Sequence, residues 1–151
     1  AINNEYLAEL EVSADERVNV TCVTCHRGLP RPVMLEDVLA GLIPAHGVDS
    51  TIATYRELRS QYYGGFSYDF SEPILLEVSE TLAEEGNLDE ALKMLALNLE
   101  MYPESWRTHL AIGEVYLRQE DPDKAREHFM EAQELDPENP MIQQRLSELD
   151  Q

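Results

Sequence analysis

From Met34 onward, apolar residues recur three and four positions apart with polar and acidic residues between them, the period of an α-helix that buries one face. "MLEDVLAGLI" carries this pattern and predicts a helix that stops at Pro44, where the chain loses a backbone donor. A second predicted helix has Ile52, Tyr55, Leu58 and Tyr62 on one side, with Asp49 or Ser50 as its cap. Together they predict a helical hairpin over residues 34–63. "YYGGFSYDF" then breaks the period with two glycines and several aromatic rings, and reads as a loop packed over the core. Ahead of the hairpin, Ile2, Tyr6, Leu7 and Leu10 give a short amphipathic stretch. Residues 21–33, closed by "GLPRP", cannot continue as helix.

From residue 71 the pattern repeats. A shift of thirty-four residues lays Val78 on Ile112, Ser79 on Gly113, Leu82 on Tyr116, Ala91 on Ala125, Leu95 on Phe129 and Pro103 on Pro137. Ser79 and Gly113 are small enough to let two antiparallel helices approach, and Ala91 and Ala125 do the same from the other helix of each pair. "HLAIGEVY", Ala125, Phe129, Ala132 and Pro137 resemble the tetratricopeptide repeat, with His109 in place of the usual tryptophan and Asn98 where an alanine is usual. "NPMIQQRLSELD" opens with Asn139 as cap and Pro140 at the first helical position, and reads as a helix covering the last open face. The expected fold is therefore all-α: a segment at 1–33, a hairpin and loop at 34–70, and a tetratricopeptide-like solenoid at 71–151, with repeats at 71–104 and 105–138 and a C-terminal capping helix.

The 151 residues suffice for one domain with a real core, or a small module joined to a larger one. No uncharged apolar run approaches the about 20 residues that a membrane-spanning helix needs. Thirty acidic against eleven basic residues give a net charge of −19, which repels nucleic acid and anionic membranes and favours a basic partner. The opening "AINNEYL" lacks Met and a basic–apolar leader, as expected of a mature or trimmed chain.

Both cysteines lie in "VTCVTCHRG", residues 20–28. A redox Cys-x-x-Cys pair expects an alternating strand–helix context, and none is visible. A structural zinc site wants four ligands and a second closely spaced pair, which the remaining histidines His46, His109 and His128 do not form. Cys-x-x-Cys-His is also the attachment motif of haem c, with Cys22 and Cys25 as thioether links and His26 as the proximal iron ligand. That attachment is carried out beyond the cytoplasm, so a periplasmic or cell-surface location is expected.

"VNVTCVTCHRGLPRP", with "INNEYL" before it, resembles the haem segments of the photosynthetic reaction-centre cytochrome c subunit family, including its single-haem relatives. The resemblance covers roughly the first 35 residues and implies one covalent haem c. That family places a distal methionine ahead of the motif, whereas residues 1–21 hold neither Met nor His. The distal ligand would then be His46 or Met34, a residue lost from the front of the chain, a neighbouring molecule's residue, or none.

Electron transfer by an exported single-haem cytochrome is the function these features imply. Its repeats would dock a redox partner that bears a basic face, or stack copies into a homo-oligomer or filament. The alternative is a repeat-based interaction scaffold whose haem is structural or senses a small ligand at an open position. Hydrolytic, phosphoryl-transfer and dinucleotide-binding motifs are absent, so no enzyme is expected.

Overall fold

The computed structural model of the protein describes residues 34–65 and 67–150, and its regular elements are all helices. The segment expected at 1–33 to hold the haem, with Cys22, Cys25 and His26, lies outside the described residues. In chain order the helices are α1 (Leu35–His46), α2 (Val48–Tyr62), α3 (Glu72–Glu84), α4 (Leu88–Met101), α5 (Trp106–Arg118), α6 (Pro122–Leu135) and α7 (Pro140–Leu149). The period of thirty-four reappears in their first residues: α3, α5 and α7 begin at 72, 106 and 140, and α4 and α6 at 88 and 122.

Local chemistry sets these ends. The Ser105, Asp121 and Asn139 side chains accept from the Thr108, Lys124 and Met141 N–H groups, and Pro122 and Pro140 stand at the start of their helices. Between the helices of each repeat, the chain must pass through left-handed backbone. Gly86 supplies it in the first repeat (φ 84), and Glu120 adopts it in the second (φ 60). The next N–H closes the turn identically in both, Asn87 to the Leu82 carbonyl and Asp121 to the Tyr116 carbonyl at 2.9 Å.

Helices α3 and α4 form one antiparallel pair and α5 and α6 the next, with α7 laid on α6. The hairpin stacks on the front in the same sense, α1 on α3 and α2 on α4. Leu35, Leu39, Val48 and Tyr55 thereby join one buried cluster with Leu75, Leu82, Met94, Leu95 and Ile112. The small residues act as the sequence predicts. A Cβ at Gly113 would overlap the ring of Phe129, which is fully buried. Ala91 and Ala125 are likewise fully buried, and the Ser79 hydroxyl donates to the Leu75 carbonyl of its own helix.

Asn98 replaces alanine for a visible reason. Its Nδ2 donates to Thr108 Oγ1 (2.9 Å) and to the Glu72 carbonyl (3.3 Å), so one buried amide joins α4 to the starts of α3 and α5. Ser105 extends this joint by bonding Thr108 and the Glu72 carboxylate.

Two expectations about the hairpin are corrected. Helix α1 does not stop at Pro44 but runs to His46, because a proline in the last turn removes a single bond and Gly47 closes the end onto the Ile43 carbonyl at 2.8 Å. Helix α2 begins at Val48, earlier than expected, so neither Asp49 nor Ser50 is its cap. Gly47 holds that position, and Asp49 pairs with Lys93 at 2.9 Å. The aromatic loop does pack over the core: Phe70 is buried with its ring edge-on to Tyr55, and its carbonyl accepts from Arg59 and from the Tyr102 hydroxyl.

Gly113→Ala is expected to destabilise the protein by about 1–3 kcal/mol, because the buried Phe129 ring has nowhere to move. That figure is net of the gain of about 1 kcal/mol in helix propensity. Glu120→Gly is expected to stabilise by about 1 kcal/mol, by relieving left-handed strain. Urea denaturation of both variants checks the pair; a neutral Gly113→Ala would show that α5 and α6 are not held at that separation.

Candidate functional site

The first helices of the repeats, α3 and α5, and the capping helix α7 border an open groove of about 410 Å³. Leu76 and Ala83 of α3 and Leu110 and Ala111 of α5 give it an apolar floor. Arg107, Glu114 and Arg118 of α5, Glu80 of α3 and Arg145 of α7 supply its charge. Residues 107, 110, 111, 114 and 118 fall on one face of α5, since they follow the three-and-four spacing of a helical stripe.

In so acidic a chain this lining is unusual: three of its eleven Lys and Arg residues stand here. Arg145 is committed to Glu114 and Glu148, which ties α7 to α5. Arg107 lies over the Trp106 ring at 4.6 Å and 4.0 Å from Glu72. Arg118 is exposed in the last turn of α5 and has no ion-pair or hydrogen-bond partner among the described residues. The described Lys and Arg residues away from the groove are engaged: Arg56 with Glu100, Lys93 with Asp49, Lys124 with Asp121, Arg126 with Asp150, and Arg59 with Tyr55 and the Phe70 carbonyl.

A second groove, of about 380 Å³, lies between α1 and α3 and has the opposite character. Glu36, Asp37, Glu77 and Glu85 surround Ile43, Val78 and Leu82, and neither Lys nor Arg lines it.

The back of α5 carries a third feature. His109 of α5 and His128 of α6 face each other with Nδ1 atoms 3.2 Å apart, and Tyr116 stacks on His128 at 5.6 Å. Burial holds both imidazoles below the usual histidine range, and for His128 the neighbouring His109 adds to the effect.

Of the expected iron ligands, Met34 and His46 are described. Both are exposed, Met34 at 57 %, and they flank or end α1, which separates them by about 18 Å at the helical rise. Among the described residues no three His, Cys, Asp or Glu side chains gather closely enough to hold a metal ion, and no helix is long and apolar enough to cross a membrane.

Residues 82–149 match the family model of the tetratricopeptide repeat. The helical array has a tetratricopeptide-like fold. No curated protein sequence matches the chain. Among solved structures it is similar to the Yersinia enterocolitica type III secretion translocator chaperone SycD, at 14 % identity and TM-score 0.48, over 77 % of this chain and 82 % of that one. It is also similar to PcrH from Pseudomonas aeruginosa, at 17 % identity and TM-score 0.47, over 77 % and 83 %. PcrH in complex with the chaperone binding region of PopB matches at 16 % and 0.46, over 77 % and 89 %.

These findings correct the expectation of an electron-carrying cytochrome, and with it the haem c, the iron and the redox partner. The family match over residues 82–149 is to a repeat and not to a cytochrome. The groove arginines were missed in the sequence because each alone reads as a solvated surface charge. The stripe 107–110–111–114–118, set beside Arg145, was the signal available.

Proposed function

We propose that this chain is a protein-binding module of the tetratricopeptide type, and that the groove between α3, α5 and α7 takes an extended segment of a partner protein. Apolar side chains of that segment rest on Leu76, Ala83, Leu110 and Ala111, and one of its carboxylates meets Arg118. The observation that carries this reading is the state of Arg118, a guanidinium without a partner among the described residues, at the edge of an apolar groove in a chain of net charge −19. Among the described residues no carboxylate has drawn it into an ion pair, while its planar fork suits a bidentate carboxylate contact. The small Ala83 and Ala111 leave room for backbone as well as side chains of a bound segment.

This reading belongs to the scaffold class of function rather than to catalysis. It needs no cofactor, and it uses the repeat as a rigid frame that holds the groove open before the partner arrives. The single tryptophan, Trp106, begins α5 beside Arg107 and offers a native reporter of occupancy.

Random peptides displayed against the full chain are expected to yield binders with apolar residues and a carboxylate. A selected peptide should lose about tenfold or more in affinity for Arg118→Glu, a loss of about 1.4 kcal/mol, while the variant unfolds at the same urea concentration as the parent. Titration followed by Trp106 fluorescence measures both affinities. Peptides that bind Arg118→Glu and the parent equally well would place the binding surface elsewhere.

A further inference from the structure

We propose that His109 and His128 form a pH-sensitive latch between α5 and α6, closed by one shared proton and opened by a second. The geometry decides what kind of contact this is. The ring centroids are 5.5 Å apart and the Nδ1 atoms 3.2 Å apart, a difference close to two ring radii. Both nitrogens therefore lie on the line joining the rings and point at each other. That is the arrangement of an N–H···N hydrogen bond, in which one Nδ1 carries the proton and the other presents its lone pair. The two nitrogens aim along the line between the rings and do not converge on a point beside it, as two ligands of one metal ion would, so the arrangement is that of a direct hydrogen bond.

A second proton has no place in this contact. With both rings as imidazolium, two N–H groups would meet head-on and two positive charges would share a half-buried space. The charges acting on the pair are few. Glu131 of α6 favours the charged form of both rings and Glu127 that of His128. Lys124 of α6 lies over the Tyr116 ring that stacks on His128, and opposes it. Among the described residues no charged group of α4 or α7 adds to these. Burial outweighs the carboxylates, so both rings titrate below their ordinary value in the folded chain.

The sign of the effect follows. The unfolded chain takes up protons below about pH 6.5, the ordinary histidine value, before the folded chain does. Stability is thus full above that pH and falls as the pH drops from about 6.5 toward the folded values. The latch sits on the back of α5, whose opposite face carries Arg107, Leu110, Glu114 and Arg118. Opening it loosens the helix that forms one wall of the groove, so a bound segment would be released on acidification. This last consequence rests on the proposed function; the latch itself does not.

The test needs no ligand. Urea denaturation of the full chain and of His128→Phe, which keeps a ring on Tyr116 but cannot titrate, is run from pH 7.5 to pH 5. The folded-to-unfolded ratio of the parent is expected to fall about tenfold more than that of the variant across this range. Parallel pH dependences would overturn the latch. Should His128→Phe fail to fold, the parent alone decides by NMR: His109 and His128 are expected to titrate as a coupled pair in two separated steps. Two independent titrations near 6.5 would contradict it. Groove binding that proves absent while the pH dependence holds would remove only the proposed function.

Discussion

Everything described here depends on how closely two antiparallel helices can lie. At Gly113 the backbone of α5 meets the buried Phe129 ring on α6, with no space for even one methyl group. Ala125 and Ala132 keep the same seam thin from the α6 side. That spacing turns each repeat into a flat, two-helix slab, and slabs can stack only if their faces are flat. Stacking then puts α1, α3 and α5 on one side of the molecule and α2, α4 and α6 on the other. The grooves lie between successive helices of the first side. They follow from the seam, and the charges lining them are a separate choice.

Those charges divide the surface. The charged lining of the groove between α1 and α3 is carboxylate, and the groove bordered by α3, α5 and α7 gathers three arginines, of which one has no partner among the described residues. Exposed ion pairs such as Arg56–Glu100 and Lys93–Asp49 link neighbouring layers but contribute little to stability, on the order of 1 kcal/mol or less each. The buried joint around Asn98 is a different case. It ties three helices through one amide in a place where solvent cannot compete.

Much of the fold was legible because it is periodic. A shift of thirty-four residues carries α3 onto α5 and α4 onto α6, and Asn139 with Pro140 marks the start of the cap. Single positions were harder. Pro44 reads as a stop, yet a helix tolerates it in its last turn. Glu120 gives no hint of left-handed backbone except by standing thirty-four residues after Gly86. His109 and His128, nineteen residues apart, look unrelated until α5 and α6 fold together. The candidate groove was less legible still. A local motif, Cys22–Cys25–His26, drew the functional reading toward haem, while the arginine stripe was dispersed among acidic neighbours.

Hydrogen–deuterium exchange of the full chain, free and saturated with a peptide selected against it, tests the central claim most directly. Binding in the groove predicts slowed exchange in α3, α5 and α7, with α4 and α6 little changed. Protection confined to α4 and α6, or to the acidic groove between α1 and α3, would contradict it.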